Sequence, residues 1–129
     1  MTKTEIIVNW LNSRFRYKRD SKLDSWRIMR LNGEVLQGDC DDYSVTLMYL
    51  LSEESMSRML WNLATFKFIP WFCRLPDDQY HIALWVRGEG WIDNVQKKFT
   101  KEKPKYRWYF PYPFPIVLLK ITIGSVLRG

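Results

Sequence analysis

The chain has 129 residues, 47% of them hydrophobic and 26% charged, which excludes a disordered or low-complexity polymer and suits one domain with its own core. Its two cysteines, Cys40 and Cys73, are too few for a disulfide framework or a cysteine-built metal site. The net charge of +6 is uneven: eight basic and five acidic groups fall in residues 1–40, six and eight in 41–100, six and one in 101–129.

Thr2 and Glu5 have capping-box spacing, and Ile6, Ile7, Trp10 and Leu11 then recur at helical intervals, which predicts a helix over 3–13. A basic, aromatic stretch follows over 14–19, and Gly33 and Gly38 punctuate the approach to Gly38-Asp39-Cys40-Asp41-Asp42-Tyr43. Val45, Leu47, Met48, Tyr49 and Leu51 read as a mostly buried helix over about 40–54, with Asp39 as N-cap and Asp42 as its reciprocal partner. The pattern then changes to period two. Residues 66–69 and 71–74 read as strands with Pro70 at an edge or bulge between them. Residues 81–87 and 91–95 flank Gly88-Glu89-Gly90 as a β-hairpin. Four prolines make 101–115 irregular, while the apolar run 116–123 reads as a buried strand pair or an oligomer contact. Broken by Lys120, that run is too short for the ~20 apolar residues of a membrane span, so no transmembrane segment is expected. Helices first and an antiparallel sheet second make the class α+β.

Cys40 falls at a helix N-terminus, where the dipole and free backbone N–H groups favour a thiolate and can hold an oxyanion. The chain's one histidine, His81, is the sole imidazole base available to it. Asp93 lies on the next strand at an even offset, hence on the same sheet face, and could orient the imidazole. A three-residue loop over 88–90 would set Trp85 opposite Asp93 and leave His81 about 13 Å away. A turn centred near Arg87 would pair His81 with Asp93, a bulge could shift the register, and Asn94 is the substitute if Asp93 cannot reach. Each element alone has an ordinary alternative: a core thiol, a packed histidine, a turn aspartate. Gln37 and Trp26 are candidates for oxyanion or substrate-cleft contacts. Cys73, flanked by Phe72 and Arg74, reads as core.

Asp24-Ser25-Trp26, the hexapeptide 38–43, His81 and Asp93-Asn94, in that order, resemble the bacterial transglutaminase-like cysteine proteinase family, and Val8-Asn9 resembles its first helix. The likeness spans about residues 6–95, leaving 96–129 as a basic, Pro- and aromatic-rich extension of one domain over 1–129. It implies a papain-like fold, with Cys40 as nucleophile, His81 as base and Asp93 as orienting residue of a cysteine peptidase. It also implies calcium on Asp39 and Asp41, although Asp41 stands where the family usually has Glu. The physical reason is the formal charge of −3 from Asp39, Asp41 and Asp42 around Cys40, which opposes thiolate formation until a cation offsets it.

The N-terminal residues form no apolar leader, so a cytoplasmic location and a phage-encoded or intracellular member are expected. The expected partner is a protein or peptide substrate, with a homo-oligomer through the apolar C-terminal segment as a further option. Water as acyl acceptor makes the chain a peptidase, and an amine makes it a transglutaminase. The basic, aromatic stretches 14–19 and 101–107 support a different reading, a catalytically silent scaffold that binds nucleic acid or a host protein.

Overall fold

The computed structural model describes residues 2–18 and 26–128. Asp24 and Ser25 of the D-x-W segment, and Arg19 of the first basic stretch, lie outside the described residues. The class is α+β. Four helices accompany a four-stranded antiparallel sheet and a two-stranded parallel ribbon among the described residues.

Helix α1 (Lys3–Arg14) begins as the sequence predicts, with the Thr2 hydroxyl accepting from the Glu5 N–H at 3.1 Å. It runs into β1 (Phe15–Tyr17), which pairs in parallel with β2 (Leu36–Gly38). Helix α2 (Cys40–Leu51) follows and ends short of the expected 54. Glu53 and Glu54 take the left-handed conformation (φ 59° and 55°), which turns the chain out of the helix. A helix that the sequence reading missed, α3 (Met56–Ala64), starts at once, capped by Ser55 and burying Met59 and Leu63.

The main sheet has the order β5-β4-β3-β6, built from β3 (Phe68–Arg74), β4 (Tyr80–Val86), β5 (Gly90–Ile92) and β6 (Arg107–Pro111). The two strands expected on either side of Pro70 are one continuous strand. Pro70 directs its carbonyl to the β6 side, where it accepts the Tyr112 N–H at 2.8 Å. Pairing with β6 begins only at Trp71, so the N–H that proline lacks leaves no gap in a ladder. One sheet face supplies Phe68, Ile82, Leu84, Val86 and Ile92 to a core completed by Leu11, Leu36, Val45, Leu47 and Met48. The opposite face carries Trp71, Trp85, Trp91 and Trp108, all half-buried.

The C-terminal third departs most from the sequence reading. Residues 107–111 form β6, and the apolar run is no strand pair but part of helix α4 (Phe114–Arg128). Val117, Ile121 and Gly124 are buried at i, i+4 and i+7, and Gly124 lies against the backbone of Trp26. The β-branched residues that favour a strand are overridden by this helical stripe, which the fold can bury. Pro113 and Pro115 sit at the helix start, where a missing N–H costs nothing. Ile116, Leu118 and Leu119 remain exposed. No helix among the described residues is long and apolar enough to cross a membrane.

Candidate active site

The N-terminus of α2 is built as its hexapeptide suggests. The Asp39 side chain accepts the Asp42 N–H at 3.1 Å and Asp42 accepts the Asp39 N–H at 3.4 Å, a closed capping box worth about 1 kcal/mol. Asp42 is fully buried and also accepts the Arg27 N–H at 3.1 Å, which ties segment 26–30 to the helix start. Gly38 is required for this packing. A Cβ there would lie 2.7 Å from the Asp42 Cβ and 3.0 Å from the Met29 Sδ.

Cys40 is the first residue of α2, half-buried, and α2 packs on β4. Strand β5 ends at Ile92, opposite Leu84, so β4 continues past it towards Tyr80. There the backbone N–H groups of Ile82, one residue along β4 from His81, and of Asp41 lie close enough to the Cys40 thiol to lower its pKa. Burial pushes the thiol pKa up, and the Asp41 and Asp39 carboxylates push it further; the two N–H groups oppose them and lose. The helix N-terminus therefore does not by itself deliver the thiolate that the sequence reading expects there.

The hairpin register lies between the two alternatives the sequence allows. Trp85 faces Trp91 across a three-residue turn of Arg87, Gly88 and Glu89, with Gly88 and Gly90 at φ 86° and 109°. Continued past Ile92, this register sets Asp93 opposite Ala83, on a diagonal to His81. The strand ends there, and the Asp93 carboxylate reaches back along the diagonal. Its Oδ2 lies 3.2 Å from His81 Nε2, both side chains being buried. The ring N–H is not aimed at that oxygen, so the contact is electrostatic rather than a formed hydrogen bond.

Asp93 is held firmly. Its Oδ1 accepts the N–H groups of Val95 (2.8 Å) and Gln96 (2.7 Å), and its Oδ2 accepts the Tyr106 hydroxyl at 2.9 Å. Burial pushes its pKa up, but the His81 imidazole, the Gln96 N–H and the Tyr106 hydroxyl together hold it below the ordinary carboxylate value. Asn94 is not needed as a substitute, because Asp93 itself reaches the imidazole. Tyr106, which sequence reasoning took for part of a basic stretch, also sets its ring edge-on to His81 at 5.4 Å. No local motif marks it; only the return of β6 to the sheet brings it there.

The remaining candidates separate. Gln37 is exposed on β2, just before the α2 cap, and its carbonyl accepts from Arg27 at 3.1 Å. Trp26 is fully buried, edge-on to Tyr112 at 5.0 Å, and its backbone N–H donates to Lys120, so it is a core residue beneath α4 rather than a cleft wall. Cys73 is buried opposite His81 on β3, as the sequence predicts for a core thiol, with its pKa pushed up to about 12 by burial and by Asp93.

Carboxylate oxygens of Asp39, Asp41 and Asp42 lie within 4.8 Å of one another. Burial, a hydrogen bond to the Asp39 carboxyl and the charges of Asp39 and Asp42 push the Asp41 pKa up to about 9. Asp41 therefore keeps its proton at neutral pH unless a cation takes its place. Their oxygens fit a hard cation such as Ca²⁺, but Asp42, both of whose oxygens accept backbone N–H groups, is a poor third ligand.

Compared with models of known protein families, with curated proteins and with solved structures, the chain matches none.

Proposed function

We propose that this chain is a cysteine hydrolase of transglutaminase-like type on a papain-like arrangement, acting on peptide or amide bonds. Cys40 attacks the carbonyl, His81 takes the thiol proton, and Asp93 orients the imidazole and balances its charge. Collapse of the tetrahedral intermediate expels the amine, protonated by His81, and water then releases the acid from the thioester. The observation that carries this reading is that the start of α2 and the His81–Asp93 pair lie at the same end of β4. The capped start of α2 holds Cys40 on β4 at Ile82, and the next residue of β4, His81, lies 3.2 Å from Asp93. The uncapped N–H groups of the first α2 turn and the exposed amide of Gln37, three residues before Cys40, are the candidate donors to a developing oxyanion. Asp39 and Asp41 would hold Ca²⁺, whose positive charge would offset the field that opposes ionisation of Cys40.

The test is mass spectrometry of the protein after incubation with a peptide pool, with and without calcium, followed by rapid acid quench. An acyl adduct on Cys40 in the parent, abolished in Cys40→Ala and His81→Ala, is expected, together with new peptide termini. A primary amine incorporated instead of water would make the chain a transglutaminase.

The raised pKa of the Cys40 thiol favours a second reading, a silent scaffold that binds an anionic partner through its basic aromatic surfaces. No acyl adduct and no peptide turnover in the parent, with or without calcium, would replace the hydrolase with it.

A further inference from the structure

The tryptophan-bearing face of the sheet holds a cation. Lys103 Nζ lies 4.6 Å from the ring centroid of Trp108, 4.8 Å from Trp71 and 5.4 Å from Trp91. The three rings come from β6, β3 and β5 and stand at steep angles to one another: Trp71 and Trp108 are perpendicular at 6.0 Å, and Trp91 is tilted by 56° to both. They form three walls of a cage around one ammonium group. Trp is the strongest aromatic partner for a cation, and Lys103 makes no ion pair among the described residues. The lysine nonetheless remains exposed, so burial of its stem does not explain why it lies here.

The position of Lys103 in the chain supplies the reason. Residues 101–106 form a strap between two anchors. At one end Thr100 exchanges backbone hydrogen bonds with Trp91 at 2.7 and 2.9 Å, and at the other β6 begins at Arg107. Between them the Pro104 carbonyl accepts both the Trp108 indole N–H (3.0 Å) and the Tyr106 N–H (2.9 Å). That turn aims Tyr106 at the buried pair, its hydroxyl on Asp93 Oδ2 and its ring on His81. The oxygen that Tyr106 bonds is the one facing the imidazole.

We propose that Lys103 and the cage of Trp71, Trp91 and Trp108 are a latch that fastens the 101–106 strap and so holds Tyr106 on Asp93, making Lys103 a positioning residue for the His81–Asp93 pair. The latch rests on the packing of these side chains and holds whichever reaction the pair serves. The groups facing His81 are Asp93 and Tyr106, with Cys73 across β3 and Cys40 one residue along β4.

The chain has a single histidine, so the ¹⁵N resonances of its imidazole report the pair directly. They are recorded at one fixed pH for the parent, Tyr106→Phe, Lys103→Gln and Lys103→Arg, alongside exchange of the Tyr106 amide and a thermal melt of each variant. Tyr106→Phe is expected to displace the resonances. Lys103→Gln is expected to move them at least half as far in the same direction and to raise Tyr106 amide exchange about tenfold. Lys103→Arg, which keeps a cation in the cage, should match the parent. Because Lys103 is exposed, Lys103→Gln should melt within a few degrees of the parent. Parent-like resonances in Lys103→Gln would overturn the latch, as would equal displacement by Gln and Arg, or Tyr106→Phe without effect.

Discussion

Replacing Asp93 with Asn keeps the shape of the side chain and removes its charge, at a residue that accepts three hydrogen bonds while fully buried. An amide oxygen in the Oδ1 position can still accept from Val95 and Gln96, but those bonds lose their charge assistance. On the other side an NH₂ group then faces the Tyr106 hydroxyl and His81 Nε2. Hydrogen bonds to a charged group contribute about 1.5–3 kcal/mol against 0.5–1.5 for neutral ones, so three weakened bonds amount to roughly 3 kcal/mol. Relief from burying a charge offsets part of this, which leaves about 2–3 kcal/mol of destabilisation at pH 7.

The pH dependence of that difference is the sharper test. Asp93 titrates below its unfolded value of about 3.9. Its contribution is therefore complete above about pH 5 and is lost as pH falls through the unfolded and then the folded value, because the unfolded chain binds the proton first. Urea denaturation of the parent and Asp93→Asn, repeated between about pH 7 and pH 2, should give a gap that is constant down to about pH 5 and closes below it. A gap under about 1 kcal/mol at pH 7, or one independent of pH, would refute the account of Asp93 as a charge held by its donors.

In a Cys73→Ser background, Cys40 should alkylate more slowly than a free thiol at neutral pH, because burial holds the thiol protonated, and Asp41→Asn should speed it about three- to tenfold above about pH 9, where the Asp41 carboxyl is ionised in the parent. The same assay run in calcium and in chelator reports whether a cation relieves that field. Gly38→Ala should cost about 2–4 kcal/mol in urea denaturation, from overpacking against Asp42 and Met29 together with loss of the α2 cap. Gly124→Ala should lower the melting temperature even though alanine is the better helix former by about 1 kcal/mol, because its Cβ would overlap the Trp26 carbonyl; a rise would refute that close approach.

How much was legible in the sequence depended on the range of the interaction. The start of α2 was readable because its capping box links residues three apart, and helix geometry alone brings Asp39 and Asp42 together. The α1 cap, the buried character of α2 and the core position of Cys73 were legible for the same reason: spacing and side-chain type decide them locally. Helix α3 was also within reach, since Ser55 caps a segment that buries residues four apart, but its polar residues and Trp61 mask the stripe.

The rest needed the third dimension. Five β-branched residues in 116–123 favour a strand, and surfaces distant in the chain, among them the backbone of Trp26 some ninety positions away, make a helix of them. The His81–Asp93 contact depends on a one-residue difference in turn placement, which periodicity does not resolve because each such step preserves the face while moving the partner. Tyr106 and Lys103, read from the chain as basic surface, become the support of a buried pair once β6 closes the sheet. Sequence by itself determined where α2 begins and which residue types are available for chemistry, because those are properties of residue type and short spacing. Tertiary structure decided which of those residues meet and what field they feel, because burial, register and long-range charge exist only after the chain has packed.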